Sequence, residues 1–124
     1  MAAATGTAYS LKMDRSEAIV VCCVGDGATE AGVFWESLNF AALHKLPIAF
    51  ICENNGMSVD SPIADRQARG LPVRVSAFGV DVRESVRKAI ESARAGYPSF
   101  CECKVTLECD HINMGKMQPR EVIA

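Results

Sequence analysis

The stretch Ala18-Ile19-Val20-Val21-Cys22-Cys23-Val24-Gly25-Asp26-Gly27 decides the fold. Its first seven residues are apolar without a break and rich in β-branched side chains. A run without polar alternation predicts a strand covered on both faces, as in a parallel sheet. Gly25-Asp26-Gly27 stops it. A helix is predicted from Thr29 to Lys45, where Val33, Phe34, Leu38, Ala41, Ala42 and the stem of Lys45 share one face at helical spacing. Pro47 marks its end. Ile48 to Cys52 is a second buried strand, closed by Glu53-Asn54-Asn55-Gly56. Strand, glycine turn, helix and strand in that order make a βαβ unit, for which parallel strands and a right-handed crossover are expected.

Outward from this unit, Ala2 to Met13 reads as a helix despite Gly6, and Asp14-Arg15-Ser16 as a polar break. Met57 to Leu71 reads as loop, with Pro62, Arg66, Arg69 and Gly70 inside it. A short strand is predicted at Val73 to Ala77. Asp81 then caps a helix, with Glu84 as its capping-box partner. Val82, Val86, Ala89, Ile90 and Ala93 form that helix's apolar stripe, and Gly96 and Pro98 end it. Phe100 to Leu107 alternates, with Cys101, Cys103, Val105 and Leu107 on one face. That pattern predicts a half-exposed strand near a sheet edge. Cys109 to Ala124 has no clear periodicity. Residues 1–124 carry no repeat or linker and are read as one domain.

Composition bounds the function classes. The 124 residues are 49% hydrophobic and 23% charged, which disfavours intrinsic disorder. Aromatics are only 6%, so Ala, Val, Ile and Leu must build the core. Mean hydropathy is +0.11, high enough to suggest surfaces that do not face water. Thirteen basic against fifteen acidic residues disfavour a basic nucleic-acid module. No apolar run approaches the roughly 20 residues of a membrane span. The opening Met1-Ala2-Ala3-Ala4-Thr5 lacks the basic start and hydrophobic segment of a signal peptide. Cys22, Cys23 and Cys52 lie inside strand-like runs, so they read as reduced core residues in a reducing compartment. Cys101, Cys103, Cys109 and His111 are close in sequence, but their spacing is not that of a paired Cys-x-x-Cys zinc site.

In an open α/β sheet, ligands bind beyond the carboxyl ends of the strands. If the two strands are neighbours, Gly25-Asp26-Gly27 and Asn54-Asn55-Gly56 lie at one edge. Glycines permit close backbone approach, and free N–H groups at a helix start suit phosphate. Asp26 supplies a hard anionic oxygen and Asn55 a neutral amide oxygen, ligands suited to Mg²⁺ completed by phosphates. Asp26 alone would read as a turn or capping residue. The pairing with Asn55 carries the reading of a metal-diphosphate clamp.

The run from Gly25 through Glu36, Asn39-Phe40-Ala41-Ala42 and Pro47 to Glu53-Asn54-Asn55-Gly56 resembles the thiamine-diphosphate motif. More narrowly, it resembles the alpha subunit of the dehydrogenase (first) component of 2-oxo acid dehydrogenase complexes. The resemblance extends upstream through Ala4 to Met13. Downstream it takes in Gly79-Val80-Asp81-Val82 and Pro98 to His111. It implies a three-layer α/β sandwich with a mostly parallel sheet. The chain would be the central part of a longer thiamine-diphosphate-binding domain, hence a fragment of one.

The resemblance also implies roles. Asp26, Asn55 and the main-chain carbonyl of Met57 would hold Mg²⁺. Gly25, Gly27 and Ala28 would approach the diphosphate of thiamine diphosphate through the backbone. His111 matches a family histidine beside the cofactor that helps position the reacting groups or binds phosphate; without the resemblance it reads as a surface or loop histidine. Glu36 matches a structural helix residue. The implied reaction is oxidative decarboxylation of a 2-oxo acid with acyl transfer to a lipoyl group, the cofactor supplying the chemistry. The implied partners are a beta-type dehydrogenase subunit and a lipoyl-bearing acyltransferase, in a hetero-oligomer of the bacterial cytoplasm or mitochondrial matrix. The join Ser61 to Arg69 is shorter than in the family, and Ile112 follows His111 where the family has serine. The alternative reading is a truncated or degenerate homologue without independent catalysis. A response-regulator-like or nucleotide module would need a different glycine and acidic pattern.

Overall fold

The structure is a computed structural model that describes residues 1–106. Helix α1 (Ala2–Met13) leads into strand β1 (Val20–Gly25), a 3₁₀ turn (Asp26–Glu30), helix α2 (Gly32–His44) and strand β2 (Ile48–Asn54). The short pair β3 (Met57–Ser58) and β4 (Ser61–Pro62) precedes helices α3 (Ile63–Arg66) and α4 (Leu71–Ser76). Strand β5 (Asp81–Val82), helix α5 (Val86–Arg94) and strand β6 (Ser99–Lys104) complete the described chain. The main sheet has the order β1-β2-β6-β5, and every pairing in it is parallel.

Three layers result, because β2 is apolar on both faces. Ile48, Phe50 and Cys52 turn to one side, against Phe34, Leu38 and Ala41 of α2, Ala8 of α1 and Leu71 and Val75 of α4. Ala49 and Ile51 turn to the other, against Ala89 and Ala93 of α5 and Cys101 of β6. Phe34, Phe50 and Phe100 are fully buried, with Phe34 meeting each of the other rings edge-on at 6.3 Å. Edge-to-face aromatic contact at such spacing adds to the burial itself. Aromatics, although few, thus form the centre of the larger core.

The βαβ unit is as expected, with β1 and β2 in parallel register from Val20 opposite Ile48 to Gly25 opposite Glu53. The burial expected of β1 on both faces is not found. Val21 is 45% exposed and Cys23 is exposed, because α5 packs chiefly on β2 and β6. The helix after Gly27 starts at Gly32, later than Thr29, since Asp26–Glu30 winds as a 3₁₀ turn. Val33 faces away from the core. Lys45 ends α2 in the left-handed region, with φ 48°. Lys12 crosses from α1 to cap that end, its Nζ donating to the carbonyls of His44 at 2.5 Å and Lys45 at 3.2 Å. A cation there also suits the helix dipole. His44 packs between Tyr9 and Phe40.

Three expectations in the second half are corrected. Leu71–Ser76 is a helix where a strand was predicted at Val73 to Ala77: Leu71 and Val75, four residues apart, bury on one helical face. Asp81 does not cap α5. It sits in β5 and pairs with Arg83 and Ser92, while Ser85 caps the helix by accepting from the N–H of Lys88. Glu84 pairs along the surface with Lys88 instead of closing a capping box. Ser85→Ala is therefore expected to destabilise the chain by about 1 kcal/mol, a loss read from urea unfolding. Finally, β6 is interior, flanked by β2 and β5, and is not an edge strand. The alternation read for it does hold in part, because Cys101 and Cys103 share a face with their sulfurs 3.9 Å apart.

The cysteines Cys22, Cys23, Cys52, Cys101 and Cys103 are all free. Burial pushes the Cys52 thiol up to about 12, helped by Glu102 and Asp26, and the Cys101 thiol up to about 11, helped by Cys103. A raised thiol pKa means that the unfolded chain ionises first. Stability is therefore whole below the ordinary value of 9.0 and falls as pH climbs from there toward about 12. At pH 8 a thiol reagent is expected to modify Cys23 rapidly and Cys52 and Cys101 only on unfolding. Equal rates at all three would contradict the packing. Among the described residues, no helix is long and apolar enough to cross a membrane.

Candidate functional site

The register that pairs Gly25 with Glu53 brings the two loop motifs to the same edge, at the carboxyl ends of β1 and β2. Gly25 ends β1 and is open, with no atom near the position of a Cβ. Asp26 begins the 3₁₀ turn and is only 2% exposed. Its carbonyl accepts a hydrogen bond from Thr29 Oγ1 at 2.6 Å. Ala28 is exposed on the same turn.

Across the edge, Asn54 and Asn55 do different work. Asn54 is buried and structural: its Nδ2 donates to Glu102 at 2.5 Å, and its Oδ1 accepts from the Gly56 N–H at 2.8 Å. Asn55 is half-buried, and its Oδ1 accepts from the Met57 N–H at 2.9 Å. The second lone pair of an amide oxygen remains chemically able to meet a cation. Gly56 has φ 78°, the left-handed turn that lets Met57 double back. Met57 then pairs with Pro62, and β3 packs against the 3₁₀ turn. Asp26, Gly27, Asn55 and Met57 thus come from two loops that meet. His111 lies outside the described residues, as do Cys109 and the end of the strand predicted to reach Leu107.

The segment after Asn55 was read as loop, yet it carries the residues that dominate this edge. Arg66, at the end of α3, is 11% exposed and uses all its nitrogens. Nη2 lies 2.7 Å from Asp26 Oδ2, Nη1 lies 2.5 Å from Glu30 Oε1, and Nε donates to the Ser61 carbonyl at 3.0 Å. Gln67 adds Nε2 contacts to Thr29 Oγ1 at 3.2 Å and Glu30 Oε1 at 3.1 Å. Ser58 closes from the other side: a Cβ on Gly27 would lie 2.4 Å from its Oγ. Gly27 is needed here for β3 to approach the turn. None of Arg66, Gln67, Glu30 or Ser58 stood out in the sequence. Their contacts join residues up to 40 apart, which no local pattern reports.

A divalent cation at Asp26 is tested by its donor set. The expected set has one anionic side chain, Asp26, and its Oδ2 is neutralised by a guanidinium. A cation bound there would face a fixed like charge. Among the described residues, no three His, Cys, Asp or Glu side chains are placed to hold a metal. As arranged, Arg66 takes the place of a cation beside Asp26, so Mg²⁺ does not fit the edge while that ion pair stands.

The glycine turn and the asparagine loop meet at the carboxyl edge of a parallel three-layer α/β sheet, the place where such folds bind ligands. Residues 1–96 match the family described as dehydrogenase E1 component, and the chain belongs to that family. The chain is 44% identical over 78 residues to 2-oxoisovalerate dehydrogenase subunit alpha 2, mitochondrial, of Arabidopsis thaliana, covering 62% of this chain and 16% of that protein. It is 39% identical over 113 residues to the alpha subunit of acetoin:2,6-dichlorophenolindophenol oxidoreductase of Bacillus subtilis, covering 81% of this chain and 34% of that one. It therefore spans a minor part of the length of these relatives. A solved transketolase from Campylobacter jejuni superposes with a TM-score of 0.71 at 20% identity, over 82% of this chain and 18% of that chain, a likeness of fold.

Proposed function

We propose that residues 1–124 are the alpha-subunit-like part of a thiamine-diphosphate-dependent 2-oxo acid dehydrogenase, one partial domain that works only within a multi-subunit enzyme. The observation that carries this reading is the register of β1 and β2, which joins the Asp26 and Asn55 loops at one edge. Family membership supports the role, and the relatives' names include alpha subunits of 2-oxoisovalerate and pyruvate dehydrogenases. Asp26, Asn55 and the Met57 carbonyl are the proposed Mg²⁺ ligands, once the Asp26 carboxylate is free of Arg66. Gly25, Gly27 and Ala28 are the proposed backbone contacts to diphosphate, and His111 is the proposed catalytic histidine. The proposed partners are a beta-type subunit and a lipoyl-bearing acyltransferase, in the bacterial cytoplasm or the mitochondrial matrix.

The engaged Asp26 carboxylate favours a second reading, a cofactor-binding or structural homologue without turnover of its own. Calorimetry of the chain mixed with a beta-type subunit, titrated with thiamine diphosphate and Mg²⁺, tests the first reading. Metal-dependent binding is expected, and its absence with and without the partner would sink it.

A further inference from the structure

We infer that Arg66 is the resident cation of the Asp26 site, and that a divalent metal binds there only by displacing it. The inference rests on the proposed role of Asp26 and adds what holds the site closed and which residue opens it. Three observations carry it. The Arg66 guanidinium is engaged on every nitrogen, between Asp26 at 2.7 Å, Glu30 at 2.5 Å and the Ser61 carbonyl at 3.0 Å. A planar fork held by two carboxylates is positioned far better than a surface ion pair. The same segment seats Ser58 on the Cα of Gly27, so the residues from β3 to Gln67 cover the glycine turn as a unit. Finally, the cover is imperfect: Gln67 Oε1 is buried and finds no hydrogen-bond partner among the described residues. An unsatisfied buried acceptor penalises the closed arrangement, which keeps an open one within reach.

Charge sets the two occupants in competition. Asp26 is 2% exposed and needs a cation beside it, whether a guanidinium or a metal ion. A guanidinium and a metal ion on one carboxylate repel each other. On this inference the metal expels Arg66 from Asp26 Oδ2 and leaves it paired with Glu30 or an incoming anion. The apparent metal affinity is reduced by the fraction of chains in which Arg66 is away.

The test is titration of Mn²⁺, alone and with thiamine diphosphate, into the full chain and its Arg66→Gln, Arg66→Lys and Arg66→Gln/Asp26→Asn variants, each with and without a beta-type subunit. Free Mn²⁺ is read by electron paramagnetic resonance, and folding by circular dichroism. Arg66→Gln is expected to bind at least about tenfold more tightly than the unaltered chain, as for a competent fraction of about one tenth. Arg66→Lys, which keeps the charge but loses the fork, should gain less than Arg66→Gln. The double variant should lose the gain. Equal affinity of the unaltered chain and Arg66→Gln, abolished by Asp26→Asn, overturns the inference and leaves Asp26 as a metal ligand. Absence of binding in every form overturns both. A gain that survives Asp26→Asn also overturns the inference, since the metal then sits elsewhere. If Arg66→Gln does not fold, the Arg66 Nη–H resonances of the unaltered chain decide. They should show a hindered, hydrogen-bonded guanidinium without metal and lose the Asp26 contact at saturating Mg²⁺ with thiamine diphosphate. A bound chain with the Nη2–Asp26 contact intact refutes displacement.

Discussion

Asp26→Ala is expected to lower the stability of the chain by about 3 kcal/mol, the low end of what breaking a buried ion pair does. The physical reason is the group left behind. Arg66 is 11% exposed and would keep Glu30 but lose its contact with Asp26. Glu30 is itself 32% exposed and is the weaker anchor. Removing both charges is predicted to do less harm than the single changes suggest: Asp26→Ala/Arg66→Met should lose clearly less than the sum of Asp26→Ala and Arg66→Met, because neither charge is left buried and alone. Urea unfolding of the four proteins reads the coupling directly. Additive losses would mean that the ion pair contributes nothing to the fold. The same Asp26→Ala variant should abolish metal-dependent binding of thiamine diphosphate by the assembled enzyme. Unchanged cofactor affinity would show that the clamp is wrongly assigned.

Phe34→Ala is expected to cost about 3–5 kcal/mol, a large fraction of the 5–15 kcal/mol that holds a domain folded. Phe34 is fully buried in the first turns of α2 and touches Trp35, Phe50 and Phe100. Truncation removes its burial and leaves a cavity among rigid rings that cannot collapse into it. Phe34→Leu should lose less, since most of the volume remains. A loss below about 1 kcal/mol for the alanine variant would mean that α2 does not dock on this face of the sheet. Because α2 follows the 3₁₀ turn directly, loosening it should also loosen the Asp26 edge.

Much of the fold was legible because it rests on short-range patterns. The apolar run ending at Val24, the helix carrying Phe34, Leu38 and Ala41, and the buried strand Ile48 to Cys52 each declare themselves within a dozen residues. The β1 and β2 register then brought Asp26 and Asn55 to one edge, as the βαβ order implied. Other features misled. Val73 to Ala77 is rich in β-branched residues, but Leu71 and Val75 found a common apolar surface only as a helix. Propensity gave way to packing there. Asp81 carries a capping side chain, yet pairing with β6 drew it into a strand and left the cap to Ser85.

The sequence by itself determined the parallel α/β core, the glycine turn and asparagine loop at its edge, and the dehydrogenase E1 component resemblance. Periodicity and punctuation are local, and they survive in any chain that folds at all. Only the tertiary structure decided which charge meets Asp26. Arg66 lies 40 residues away, in a segment with no periodic signal, and reaches the carboxylate because β3, β4 and α3 fold back over the turn. It also decided that, among the described residues, Val21 and Cys23 of β1 stay exposed, since helix placement over a sheet depends on lengths and crossings that the apolar run does not encode. Buried charge must find a partner wherever the fold provides one. The identity of that partner is therefore a property of the whole chain, and here it makes a residue that reads as a metal ligand half of an ion pair.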